Sequence, residues 1–182
     1  MSDISHQMIL SYQADWPDKF NKEKKVLEGV FSAEALAIEH IGSTSIPNLS
    51  SKPIIDMVVL VKNKDIADSF SEQLKNIGYN EVLPPGNERH FFTKGKPIEY
   101  HLSIAYTDRG GFWVRQMKFR DYMRTHPELV DEYDKLKRKL LAEDPTGYDV
   151  YINKKSDFVN KVLELSGWTE NVTYNEFYNK NF

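Results

Sequence analysis

The turn Gly42-Ser43-Thr44-Ser45 puts closely spaced amides and three hydroxyls directly after the apolar stretch Ile38-Glu39-His40-Ile41. Such a turn can surround phosphate oxygens, with Gly42 letting the backbone approach them closely, although an ordinary polar turn has the same composition. It lacks the Gly-rich run and Lys-Ser/Thr ending of a P-loop, and the chain has no GxGxxG. Asp56 is a lone acid within Ile54-Ile55-Asp56-Met57-Val58-Val59. An ionised carboxylate there is costly unless a cation, a basic group or backbone donors compensate it, so Asp56 reads either as a satisfied strand acid or as a ligand for metal or substrate. Lys52, four residues earlier, is placed to neutralise Asp56 or a bound phosphate. Glu99 and His101 share a strand face by period two. If their strand neighbours that of Asp56, the three form an oxygen and nitrogen donor set that suits Mg, Mn or Zn, with a hydrogen-bonded sheet histidine as the equal alternative for His101.

Arg120 and Arg124 stand four residues apart on one helical face and, with Arg89 or Lys154-Lys155, can clamp phosphate or carboxylate through guanidinium forks. A solvated helix face is the plainer reading of each. The same reading covers Glu128, Asp131, Glu132 and Asp134 mixed with Lys135, Lys137, Arg138 and Lys139. His40 adjoins the turn or faces the core, His90 and His126 read as surface or capping residues, and His6 as terminal. Trp113, Phe119, Tyr122, Tyr133 and Tyr148 read as packing, and no RNA-binding signature accompanies them.

The elements that must position these groups follow from period and punctuation. Residues 7 to 12 read as an edge strand. Asp15 caps a helix with Pro17 in its first turn and Phe20, Val26, Leu27, Val30 and Phe31 as its stripe. Strands are expected near 36–41 and 54–61. A second helix starts at Asp65, turns Ile66, Phe70, Leu74 and Ile77 inward, and stops at Gly78. Residues 88–93 and 97–104 read as a hairpin about a Lys94-Gly95-Lys96 turn. Helices are expected near 110–125, 127–142 and 149–166, punctuated by Pro127 and Pro145-Thr146-Gly147.

At 182 residues the chain is long enough for one domain with a real core. It has no cysteine, which excludes disulfides and thiolate metal sites and favours the cytoplasm. Twenty-four Lys and Arg against 27 Asp and Glu give a net charge of -3, so no global field draws nucleic acid. No apolar run approaches the roughly 18 residues of a membrane span.

Taken together, Tyr12-Gln13-Ala14-Asp15-Trp16-Pro17, Ile38 to Pro47, Lys52-Pro53-Ile54-Ile55-Asp56, Gly78-Tyr79, Arg89-His90-Phe91-Phe92, His101-Leu102, Phe119 to Arg124, His126-Pro127-Glu128, and Tyr133 with Lys137 resemble the GrpB family, a branch of the nucleotidyltransferase-like superfamily. The resemblance reaches about residue 165. It implies an α+β fold: a mixed sheet flanked by helices, with a C-terminal helical layer, in one domain over 1–182 whose residues 167–182 form a tail. Similar domains occur attached to dephospho-CoA kinases, but no P-loop kinase half is present here. The wider superfamily pattern has two acids two residues apart, whereas Asp56 is flanked at that spacing by Ile54 and Val58. Relatives also often carry histidines where this chain has Tyr100 and Ser103.

The expected function is that of a metal-dependent, nucleotidyltransferase-like protein acting on or binding a nucleotide or phosphate ligand. Asp56, Glu99 and His101 are its expected catalytic and metal-binding residues, with Mg or Mn as cofactor. Gly42, Ser43, Thr44, Ser45, Lys52, Arg89, Arg120 and Arg124 are expected around the ligand. The alternative is a non-catalytic domain, binding a small anion or nucleotide, that has lost its transferase acids.

Overall fold

A computed structural model describes residues 9–82, 88–143, 148–168 and 172–179, with only the backbone described for 148–153 and 179. His6, the Pro145-Thr146-Gly147 break and the side chain of Tyr148 lie outside the described residues. Helix α1 spans Trp16–Phe31, and strands β1 (Ala37–Ile41) and β2 (Ile55–Val61) follow. Two short helices come next, α2 (Lys64–Asp68) and α3 (Ser71–Asn76). Strands β3 (Tyr79–Glu81), β4 (Arg89–Lys94) and β5 (Tyr100–Tyr106) precede helices α4 (Phe112–Thr125), α5 (Pro127–Glu143), α6 (Tyr148–Leu165) and α7 (Tyr174–Asn179).

The sheet order is β1-β2-β5-β4-β3, parallel between β2 and β5 and antiparallel elsewhere. This is the mixed sheet expected from the sequence. Alternation along β2 divides its side chains between two layers. Met57, Val59 and Val61 join Trp16, Leu27 and Phe31 of α1, Ala67 of α2, and Phe70 and Leu74 at the start and in the body of α3. Val58 and Leu60 instead meet Phe112, Trp113, Val114 and Met117 of α4. A third cluster, with Phe119, Met123, Val130, Tyr133, Phe158 and Val162, binds α4, α5 and α6 to Ile46 and Leu49 of the loop after β1. The rings of Tyr133 and Phe158 stack at 4.5 Å.

Several expectations are corrected. Asp15 occupies the N-cap of α1, but its side chain caps no amide and pairs with Lys19 at 3.0 Å instead. Val26 is 42% exposed, and Glu23 takes the inward position, accepting from the Tyr79 hydroxyl (3.0 Å) and the Lys94 amine (2.7 Å). The expected second helix is two helices. Its cap is Asn63, which accepts from the Ile66 amide, and the Ser69 hydroxyl donates to the Ile66 carbonyl where the chain breaks. Within the described part of 7–12 the sheet-like pairing is a single bridge, Leu10 to Ser51. The second hairpin arm starts at Tyr100, because Pro97 has no amide to give a ladder. In the tail, Thr173 and Glu176 form a reciprocal capping box that starts α7. Among the described residues no helix is long and apolar enough to cross a membrane.

Candidate functional site

Asp56 sits opposite Ile41 of β1 and His101 of β5. By parity it projects to the same side as Val58 and Leu60, toward the helical layer. The ring Nδ1 of His101 lies 2.9 Å from Asp56 Oδ1, with the two side chains 28% and 33% exposed. The Phe91 ring packs edge-on against His101. Gly42 closes the other flank of Asp56: its φ is +68°, and a Cβ there would stand 2.9 Å from both Cβ and Cγ of Asp56 and nearer still to Oδ2.

The pair opens on a cavity of about 580 Å³ between the sheet edge and α4, α5 and α6. Gly42, Ser43, Lys52, Asp56 and His101 line it, so the structure brings together five of the residues singled out from sequence. Arg115, Lys137 and Lys155 line it as well, and Phe119, Tyr133, Val159 and Leu163 supply an apolar wall.

Other expected ligands are committed elsewhere. Thr44 is fully buried, with its hydroxyl 3.0 Å from His40 Nε2 and donating to the Ile54 carbonyl. Ser45 turns its hydroxyl back onto the Gly42 carbonyl at 2.7 Å. Arg120, 8% exposed, donates to Glu39 and Asp121, both at 2.7 Å, and to the His40 carbonyl. Arg124 donates twice to the Ser45 carbonyl. Arg120 binds helix α4 to β1 and Arg124 binds it to the turn, rather than reaching into the cavity. Arg89 donates to the Ser103 hydroxyl at 2.5 Å and lies over the Phe91 and Phe112 rings. Glu99 is exposed beside the Gly95 turn, just before β5 begins, and does not line the cavity. Lys52 makes no ion pair with Asp56, whose partner is His101. Burial, then the neighbouring Lys155, pushes the Lys52 amine below its ordinary range.

Two buried residues overturn surface readings. His90 is 3% exposed, with Glu81 2.7 Å from Nδ1 and Asp68 2.9 Å from Nε2. Lys137, expected on a solvated face, is 2% exposed; its amine reaches the Ser50 carbonyl and the Ser43 hydroxyl, and burial followed by repulsion from Lys155 lowers its pKa to about 7. The signal was present, since Lys137 falls on the spacing of Val130, Tyr133 and Leu140 along the inner face of α5. His126 caps α4 as expected, 2.7 Å from the Tyr122 carbonyl. His40, stacked on Phe20, is held neutral by burial, its pKa lowered to about 4.

Among the described residues no three His, Asp or Glu side chains come together as a metal-holding group. Asp56 and His101 are the carboxylate and the imidazole among the residues lining the cavity.

The sequence matches the family described as GrpB protein over residues 7–165. The UPF0157 protein YqkA of Bacillus subtilis is 38% identical over 160 residues, 86% of this chain but 46% of that protein, so the chain spans about half of that relative's length. The crystal structure of the conserved protein GrpB from Enterococcus faecalis superposes with a TM-score of 0.79 at 31% identity, covering 87% of this chain and 96% of that one. A structure of the Cid1 poly(U) polymerase shares the fold at a TM-score of 0.50 and 13% identity, covering 71% of this chain and 42% of the polymerase. The sheet flanked by helices thus has nucleotidyltransferase-like architecture, and the chain belongs to the GrpB family.

Proposed function

We propose that the cavity binds a phosphorylated anion of the nucleotide class. The observation that carries this is its charge: Lys52, Arg115 and Lys155 line it, with the Lys137 amine beside them, against the single carboxylate of Asp56. Half-enclosed cations act with less screening than surface ones, so together they favour a multiply charged ligand. Ser43 adds a hydroxyl, and the wall of Phe119, Tyr133, Val159 and Leu163 suits the apolar face of a base or comparable ring. The fold likeness points the same way, since the Cid1 structure was solved with MgATP.

Calorimetry with inorganic phosphate, ADP and ATP, without metal, tests this reading. Binding that weakens as salt rises is expected. Asp56→Ala should bind the metal-free anion more tightly by on the order of 1 kcal/mol, about fivefold, because the one opposing charge is gone. No binding of any of the three at low ionic strength would overturn the proposal.

Metal-dependent nucleotidyl transfer is the second reading, favoured by Asp56 and His101 facing the same cavity. Magnesium is commonly held by one or two carboxylates plus substrate phosphates, so it would arrive with the nucleotide. In that case Mg should strengthen ATP binding to the wild type and not to Asp56→Ala, and labelled nucleotide should turn over.

A further inference from the structure

We propose that Lys137 is a covalent attachment point, a primary amine that condenses with the carbonyl of a phosphorylated aldehyde held in the cavity. The inference rests on the anion-binding reading of that cavity and adds a class of ligand and a chemical step. In the step, the amine lone pair attacks the carbonyl carbon to give a carbinolamine. Loss of water, made from the carbonyl oxygen and the two amine hydrogens, then leaves the imine, with no oxidant or reductant consumed.

Geometry is the first support. Lys137 projects from α5 across to the loop after β1, where it meets the Ser50 carbonyl and the Ser43 hydroxyl at 3.3 Å. Both partners are neutral, and Lys137 takes no part in the ion pairs found among the described residues. An ammonium has three N–H groups and no lone pair, whereas a neutral amine has two N–H groups and one lone pair. The third neighbour is the Tyr133 ring, its centroid 4.7 Å from Nζ, so among the described residues the amine has no paired carboxylate to hold it in the ammonium form.

Deep burial without a paired carboxylate favours the neutral amine, whose lone pair is the nucleophile. Burial and the charge of Lys155 lower the Lys137 pKa to about 7. At neutral pH the reactive amine fraction is therefore about a thousandfold greater than for an ordinary lysine. Desolvation beside another cation is a recognised way of making a lysine nucleophilic toward carbonyls.

The cavity supplies the rest. Lys52, Lys155 and Arg115 offer anchors for a phosphate, and Phe119 and Val159 offer an apolar wall. A volume of about 580 Å³ lies within the range of sites that enclose small molecules.

The test uses the full chain with pyridoxal 5′-phosphate as probe, borohydride to fix the imine, and peptide mass spectrometry to locate it. One equivalent on Lys137 is expected before exposed lysines such as Lys22, Lys25 and Lys139 react. Pyridoxal without the phosphate should label Lys137 at least tenfold more slowly. The rate at a fixed aldehyde concentration should climb as pH rises through about 7. Lys137→Arg and Lys137→Met should lose the adduct, while the wild-type map stands as evidence even if either variant folds poorly. Adducts spread over surface lysines with Lys137 unmodified overturn the proposal, and equal labelling by pyridoxal and its phosphate overturns the ligand class. Calorimetric binding of inorganic phosphate with Lys137 unlabelled refutes this inference alone; absence of phosphate binding refutes the anion reading beneath it.

Discussion

Replacing Gly42 by alanine strikes the join between the turn and Asp56. At φ +68° and ψ −175° the residue occupies a region that is essentially glycine's own, where another residue costs about 1–3 kcal/mol. The added methyl would also stand 2.9 Å from the Cβ of Asp56, an atom fixed by β2 that no side-chain rotation can move away. Relief requires the strand and turn to separate, which loosens the pairing of Asp56 with His101; being about a third exposed, that pair contributes at most roughly 1 kcal/mol. The sum is about 1–4 kcal/mol, or roughly a 2–15 °C fall in melting temperature for a chain of this length. Gly29 is the control: it lies in α1 with nothing within 4 Å of its would-be Cβ, so Gly29→Ala should gain about 0.5–1 kcal/mol. Thermal unfolding followed by circular dichroism gives the stabilities, and the ring signals of His101 in a nitrogen-resolved NMR spectrum report on the pair. If Gly42→Ala melts with the wild type and leaves those signals in place, the close packing of turn against Asp56 has been misjudged.

Lys137→Met should change how stability depends on pH. Between pH 7 and the ordinary lysine value of 10.5 the unfolded chain holds a proton on Lys137 that the folded chain has released, so the wild type gains on the variant as pH rises across that window, by up to a few kcal/mol. Parallel urea midpoints for the two proteins at pH 7 and 10 would contradict the buried amine. His40 titrates the opposite flank: its folded pKa of about 4 lies below its ordinary 6.5, so stability falls as pH drops from 6.5 to 4, and His40→Gln should flatten that limb by about 2–3 kcal/mol. Arg120→Met should cost roughly 2–3 kcal/mol in urea unfolding, from the stranded His40 carbonyl and two lost charge-assisted bonds. Phosphate affinity measured on the folded variant should stay within about twofold, because Arg120 holds β1 and does not line the cavity; a tenfold loss would restore it as a ligand.

Strand β2 was legible because a β-branched run with one acid leaves few alternatives, and the Asp56–His101 meeting followed once the two strands proved adjacent. Period two misled at Glu99, where alternation was carried back past the true start of β5 into a turn shaped by Gly95 and Pro97. A polar type at an apolar phase is what hid the remainder. Glu23 stands between Trp16 and Leu27 on the inner face of α1, His90 alternates with Phe92 on the inner face of β4, and Lys137 follows Tyr133 along α5. Side-chain type gives His90 and Lys137 a surface reading and leaves Glu23 out of the stripe of α1, whereas the phase along each element places all three inside. Arg120 and Arg124 failed differently. Guanidinium forks serve carbonyls as readily as phosphates, and only the tertiary arrangement shows that the Ser45 and His40 carbonyls reach them first. The three-residue β3 and the six-residue α7 are too short to show a period at all.

The helical layer holds the loop after β1 largely by its peptide groups: Arg124 on the Ser45 carbonyl, Lys137 on the Ser50 carbonyl, and Asp134 on the Ser50 amide at 3.0 Å. Every residue type except proline presents those same groups, so the handles survive most replacements in the loop. Tolerance to mutation is therefore lopsided, with the outward-facing loop side chains free to drift while Gly42, Thr44, Ile46, Leu49 and the clamps on α4 and α5 are not. A lineage can exchange the loop groups that meet a ligand, Ser43 among them, and so retune what the cavity accepts without rebuilding the scaffold that encloses it.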